Sequence, residues 1–323
     1  MRENGPEGAR GAGGDERGGD GRERGRGSGR TAWREGRGGP WRGERGGPRR
    51  DERSGPGAPA GPAVEVLAHR GFAAEAAENT LEAFRAAAEL GVRWIETDVN
   101  TTADGVPVLI HDPSLERVAG IPGDVAEMTA EDLREVRLPG GERIPTLAEA
   151  LRTFPELRFN IDLKDEGAVA AVPGVVLAAG ARDRIRLASF SESRRRRVQR
   201  ELEAGHGRLL ASPGYGGIFA FWLTTRLLGP RGTAALWPRA ARLLGRWIAP
   251  FDALQVPAAR RVGPLTVRVV SRRFVAAAHA CGYRVEVWTV DEREEMRRLV
   301  RLGADGIITD RSDVAVEEFP AAS

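Results

Sequence analysis

The sequence has one cysteine, Cys281, so no disulfide can form within the chain and the redox compartment stays open. No apolar run is long enough to cross a bilayer. The longest, Ile218–Leu228, is interrupted by Thr224, Thr225 and Arg226. The beginning of the chain lacks the apolar stretch of a secretory leader. Cysteine clusters and histidine-rich spacings that would suit a soft metal are missing as well. These absences lead to the expectation of a soluble, cytoplasmic protein.

Residues 1–62 are almost without aliphatic side chains. They hold 20 of the 42 glycines, 14 arginines and 10 acidic residues, and so carry a net +4 against +3 for the whole chain. Glycine and charge at this density cannot bury enough apolar surface to offset chain entropy, so a disordered tail is expected. Its Arg-Gly stretches could contact RNA or anionic lipid. The interleaved acids weigh against a nucleic-acid partner, and a plain spacer is the preferred reading. Residues 63–323 remain for folding, near the roughly 250-residue size of a (β/α)8 barrel.

Short apolar runs alternating with helical patterns fill that remainder. Strands are expected at 64–68, 94–99, 107–110, 158–163, 185–189, 208–211, 253–256, 284–289 and 306–309. Helices are expected at 79–90, 191–204, 271–281 and 291–302, the first capped by Asn79 or Thr80 and ended by Gly91. The alternation predicts a parallel sheet with helices outside, a TIM-type barrel. Nine strands compete for eight places. The odd one is 107–110, too near Val99 for a parallel crossover, and it reads either as a hairpin arm or as a tightly linked barrel strand. Arg194–Arg197 reads as the solvated start of a helix.

Polar residues gather at the strand ends, where a barrel places its active site. The first strand runs into His69-Arg70-Gly71. Glu96 and Asp98, two apart, point to one side of the second strand. His111-Asp112 follows the third, and Asp162 and Lys164 share one side of the fourth. Taken singly, each has a bland reading as a structural hydrogen-bonder or an ion pair. Together, three carboxylates offer oxygen ligands for one divalent cation, Mg2+ or Ca2+. Arg70 and Lys164 can hold a phosphate, and His69 and His111 can divide acid and base work.

His69-Arg70-Gly71, Glu78-Asn79-Thr80 with Ala83-Phe84, Glu96-x-Asp98, Asp104-Gly105 and His111-Asp112 resemble the N-terminal signature of glycerophosphodiester phosphodiesterases. Pro145-Thr146-Leu147, Asp162-Leu163-Lys164, Ser189-Phe190, Val287-Trp288-Thr289-Val290 and Asp305–Asp310 are similar to its later segments, in order. The resemblance implies a barrel over 63–323 with the family insertion at about 112–150. It implies catalytic histidines at His69 and His111 and metal carboxylates at Glu96, Asp98 and Asp162. It also implies phosphate-neutralising cations at Arg70 and Lys164 and a substrate-facing Trp288, which could equally be barrel core. Glu78 reads either as a substrate-site residue or as a helix-start acid. Asp162 departs from the family's glutamate at that place, a change expected to be tolerated. The implied reaction is hydrolysis of a glycerophosphodiester to glycerol 3-phosphate and an alcohol, by water or by the substrate's own 2-hydroxyl. Which histidine is the acid stays open, with His69 preferred.

Residues 213–250 are the least family-like part. Their aromatics among arginines are expected to be a helix pair packed on the barrel, with a membrane-surface contact or a lid over a lipid-derived substrate as the alternative. That alternative carries a second substrate class, lysolipids cleaved as by a lysophospholipase D. A reading of a different class, an RNA- or membrane-binding protein with a vestigial barrel, is opposed by the intact set of histidines, carboxylates and cations.

Overall fold

The computed structural model describes residues 64–320 apart from Arg246, so the expectations for the tail lie outside the described residues. β1 (Glu65–His69), α1 (Leu81–Glu89), β2 (Trp94–Thr101) and β3 (Pro107–Leu109) open the fold. The insertion contributes α2 (Glu116–Ala119), α3 (Ala130–Glu135) and α4 (Leu147–Thr153). Then come β4 (Arg158–Leu163), α5 (Gly167–Ala178), β5 (Ile185–Ala188), α6 (Glu192–Glu203), β6 (Leu210–Ala211) and α7 (Tyr215–Leu243). β7 (Ala253–Pro257) leads into a hairpin of β8 (Ala259–Val262) and β9 (Leu265–Arg268). α8 (Arg272–Ala280), β10 (Arg284–Trp288), α9 (Arg293–Arg301), β11 (Gly306–Thr309) and α10 (Ser312–Glu318) complete it.

Eight strands pair in parallel in the order β6-β5-β4-β2-β1-β11-β10-β7. The seam between β6 and β7 lacks a strand ladder but is bridged: Asp252 N donates to Ala211 O at 3.0 Å and Gln255 N to Ser212 Oγ at 3.2 Å. This is the TIM-type barrel that the alternation predicted. β3 pairs antiparallel with β2, Val99 opposite Leu109, so the ninth strand is the hairpin arm and not a barrel stave. The β8–β9 hairpin was not anticipated, because its Arg-rich strands have little apolar alternation to reveal them. Strands covered on both faces need apolar or bonded side chains throughout, and β2 is buried along its whole length.

Thr80 caps α1 by accepting from Ala83 N at 3.2 Å, which frees Asn79 for another task. Phe84 on that helix packs edge-on against Phe154 and Phe159, with ring centroids 6.2 and 5.8 Å away. The expectation for Arg194–Arg197 needs correction at one position. Arg195 is fully buried and donates to the carbonyls of Ala249 and Pro250 and to Gln199, tying α6 to the loop before β7. α7 is broken at Gly229, whose backbone is left-handed and which Pro230 follows, so it is a helix pair merged across a kink. Phe221 and Trp237 anchor its two halves in the core. Among the described residues no helix is long and apolar enough to cross a membrane.

A charged network lies across the barrel near the strand starts. Arg186 donates to both oxygens of Glu286 at 2.6 and 2.8 Å and to Asp252 at 3.0 Å, and its guanidinium stacks on Trp94. Both Arg186 and Glu286 are buried, so removing one partner strands the other charge. Arg186→Met is expected to cost about 3–5 kcal/mol of stability. The cost should appear as a lower urea midpoint at unchanged slope, and an unmoved midpoint would remove this network from the fold's support.

Candidate active site

The C-terminal ends of the strands surround a cavity of about 190 Å3 lined by His69, Arg70, Glu96, Asp98, His111, Asp162, Lys164 and Trp288, with Asn160, Phe190 and Gln255. All of the residues singled out by the sequence except Glu78 line it. β1 delivers His69, β2 delivers Glu96 and Asp98 on one side, and β4 delivers Asp162 with Lys164 just beyond. The β2–β3 hairpin carries the chain back to His111, whose carbonyl, like that of Ile110, accepts from Asn100 Nδ2.

Each histidine is held by a carboxylate. His69 Nδ1 lies 2.7 Å from Asp310 Oδ1, and His111 Nδ1 lies 2.5 Å from Asp112 Oδ1. An ionised carboxylate only accepts, so Nδ1 bears the proton in each ring and Nε2 is left for proton exchange. The two surroundings differ. His69 Nε2 also lies 3.9 Å from Glu96. Burial opposes its protonation, but the bond to Asp310 and the charge of Glu96 outweigh it and raise the His69 pKa. Asp112, by contrast, shares its charge with Arg117, which also binds Glu78 at 2.6 Å.

Arg70 is cradled by acids. Its Nη1 reaches Glu78 at 2.9 Å and its Nε lies 3.1 Å from Asp98. Glu78 stands behind Arg70 and outside the cavity lining. Arg70 and Asn79 both have left-handed backbones, with φ of 58° and 59°. For arginine this is uncommon and strained. Backbone bonds fix the loop: Arg70 N donates to Glu96 O and Asn79 N to Arg70 O, both at 2.8 Å. Gly71 must be glycine, since a Cβ there would meet the Ala83 backbone at 2.8 Å.

The carboxylates are unequal. Asp98 accepts from Lys164 at 2.8 Å and from Asn79 at 3.1 Å. Burial would raise its pKa, but Lys164 and Arg70 hold it below the usual range. Asp162 binds Lys164 at 2.6 Å, yet its other oxygen is buried without a partner, and burial raises its pKa. Glu96 Oε2 is also buried and unpartnered. Burial and the neighbouring charge of Asp98 push the Glu96 carboxyl up to about 8.

Two orphaned carboxyl oxygens at one cavity are the arrangement a hard cation would satisfy, so the donor set fits Mg2+ or Ca2+. The fit is through Glu96 and Asp162, because Asp98 already accepts from Lys164 and Asn79 and is ion-paired with Arg70. Among the described residues no three acidic, histidine or cysteine side chains converge as a finished cage. Lys164 Nζ lies between Asp98 and Asp162 instead.

Several residues around the site were given no role there from the sequence: Asp310 and Asp112 on the imidazoles, Asn79 (read only as a candidate helix cap) and Arg117 behind Asp98 and Glu78, and Phe190 at the mouth. Asp112 and Asp310 lie within recognisable segments, but nothing in sequence order pairs Asp310 with a histidine 241 positions away. Trp288 lines the cavity and meets Phe190 edge-on at 6.0 Å.

The model of the glycerophosphoryl diester phosphodiesterase family matches residues 69–205 and 222–314. The probable glycerophosphodiester phosphodiesterase 2 of Mycobacterium tuberculosis is 40% identical, over 77% of this chain and 88% of its own length. Among solved structures, a putative glycerophosphoryl diester phosphodiesterase from Silicibacter pomeroyi superposes with a TM-score of 0.61 at 26% identity, covering 80% of this chain and 93% of that one. A phosphodiesterase from Oleispira antarctica, in complex with sn-glycerol-3-phosphate, shares the fold with a TM-score of 0.59 at 21% identity, covering 78% and 96%.

Proposed function

The chain belongs to the glycerophosphoryl diester phosphodiesterase family, hydrolases of glycerophosphodiesters, and on that premise we propose that its cavity forms glycerol 3-phosphate and an alcohol with His69 and His111 as the proton-transferring pair. The observation that carries this reading is the pair of aspartate-held imidazoles facing one cavity with Arg70 and Lys164. The product bound in the Oleispira antarctica phosphodiesterase supports the same chemistry.

Arg70 and Lys164 hold the phosphate oxygens, and Glu78 keeps Arg70 aimed. His111 takes the proton from the nucleophile, water or the substrate's 2-hydroxyl; in the second case the cyclic phosphate that forms is then opened by water to give glycerol 3-phosphate. His111 suits that role because Asp112 holds its Nδ1–H and leaves Nε2 free to accept. His69, between Asp310 and Glu96, holds its proton and gives it to the departing alkoxide. A divalent cation held by Glu96 and Asp162, beside Asp98, would offset charge growing on the phosphoryl oxygens. Trp288 and Phe190 form an apolar wall for the glycerol side of the substrate, where a lysolipid carries its acyl chain. Their apolar surface favours a second substrate class, lysolipids, for the same machinery.

Residues 63–323 contain every group this scheme uses, so residues 1–62 are proposed to be dispensable. The test is to assay the full chain and the 63–323 fragment, with a divalent cation, on glycerophosphocholine, glycerophosphoethanolamine and lysophosphatidylcholine. Glycerol 3-phosphate should be released from the two glycerophosphodiesters at equal rates by both forms, and any cleavage of lysophosphatidylcholine should give lysophosphatidate. Cleavage of lysophosphatidylcholine alone would select the lysolipid reading, and no cleavage of any diester would sink both. Activity lost from the fragment at low and high salt alike would end the spacer reading of the tail.

A further inference from the structure

The first half of α7 carries a row of large apolar side chains that are left exposed. Tyr215, Phe219, Leu223 and Leu227 recur at every fourth residue, with Leu228 beside the last, and all are exposed. Side chains four apart lie one above another on a helix, so they form one ridge. The inward face of the same half buries Gly217, Phe221 and Thr225. Phe219 is 60% exposed and Leu227 is 73% exposed, large apolar groups left in water side by side. The ridge begins at the mouth of the cavity: the Tyr215 ring stacks on Phe190 with centroids 4.6 Å apart, and Phe190 lines the cavity. Residues 206–221 also fall between the two segments matched by the family model.

The stretch of chain that carries this ridge is charged almost entirely with one sign. From Ala204 to Val285 the chain has twelve arginines and a single acid, Asp252, which is bound to Arg186. Arg226 lies over the Trp222 ring at 5.9 Å, and Arg260 of the β8–β9 hairpin lies over Tyr215 at 4.9 Å. Both are exposed, and neither makes an ion pair among the described residues. Aromatic and leucine side chains flanked by arginine make up the composition of a helix lying in a membrane interface. A symmetric contact between two copies would set these arginines against themselves. Anionic headgroups complement them.

We propose that this face of α7, with Arg226 and Arg260, docks on an anionic lipid surface. Phe219, Leu223 and Leu227 enter the headgroup region while the arginines meet lipid phosphates, and the cavity mouth comes to the lipid boundary. Docking is independent of the reaction proposed above, since it is read without turnover.

Flotation of the full chain with phosphatidylcholine vesicles, with and without phosphatidylglycerol, tests this. The protein should float with the anionic vesicles, remain behind with the neutral ones, and be released by salt. Phe219→Ser/Leu223→Ser/Leu227→Ser should lower the partition at least about 10-fold while turnover of a water-soluble glycerophosphodiester stays at the wild-type level, which also reports that the variant folds. Arg226→Gln should weaken binding and flatten its salt dependence. Absence of binding to anionic vesicles at low salt would overturn the proposal. So would binding that the triple variant keeps in full, which would move the contact to another part of the chain. A wild-type dimer in sedimentation that the triple variant dissociates would assign the ridge to a second copy instead.

Discussion

Glu96→Gln is expected to abolish turnover and to leave the melting temperature unchanged or higher. The second half of that result separates a metal ligand from a structural acid. Glu96 is buried, has one oxygen without a partner, and is pushed up to about 8 by burial and by Asp98. A carboxyl whose folded pKa lies above its unfolded value contributes stability that is fully present below the unfolded pKa and is lost as pH rises through the folded one. Without a cation, stability therefore falls as pH rises from the ordinary glutamate range to about 8, where the folded-state carboxyl gives up its proton, and the neutral amide removes that loss. With Mg2+ or Ca2+ the sign reverses. Cation bound to the folded state stabilises the wild type, whereas the variant should show little response. Chelation followed by exhaustive dialysis should silence the wild type, and either ion should restore it. Calorimetric titration supplies a readout without turnover, with binding heat in the wild type and a much weaker one in the variant. Undiminished turnover in excess chelator would end the metal assignment.

The fold was legible where side-chain pattern alone decides the element, and less so where tertiary partners do. Strands buried on both faces announce themselves as apolar runs, which is why all eight barrel strands were placed to within two residues. The β8–β9 hairpin did not, because Arg260, Arg261 and Arg268 obscure the alternation. Arg195 was misread for a related reason: a run of four arginines looks solvated, and only the fold brings the carbonyls of Ala249 and Pro250 to one of them. At the site, residue types at strand ends could be read, but their division of labour could not. Three carboxylates look alike in sequence. Asp98 differs from Glu96 and Asp162 only because Lys164, Arg70 and Asn79 converge on it. One signal was available and strong. Lys164 is the only lysine among 49 basic residues. A compact ammonium can sit between Asp98 and Asp162, where the planar arginine fork has a different geometry.

Alanine at His69 or at His111 should each lower kcat by about 10²- to 10⁴-fold, the usual range for a positioned proton transfer. KM should move little, because Arg70 and Lys164 still hold the phosphate. The double variant should lose far less than the product of the single losses, since groups that act in one event are not additive. The leaving group then tells the two apart. An alkoxide needs a proton to depart, whereas p-nitrophenolate does not. If His69 is the acid, His69→Ala should be severely slowed on an alkyl diester and nearly restored on a p-nitrophenyl diester, while His111→Ala stays slow on both. The surroundings favour this assignment: two carboxylates flank His69, at 2.7 and 3.9 Å, whereas Asp112 beside His111 is shared with Arg117. Rescue of His111→Ala and not of His69→Ala would exchange the roles. Rates near wild type on the alkyl diester for both single variants would make the rings structural and the proposed mechanism wrong.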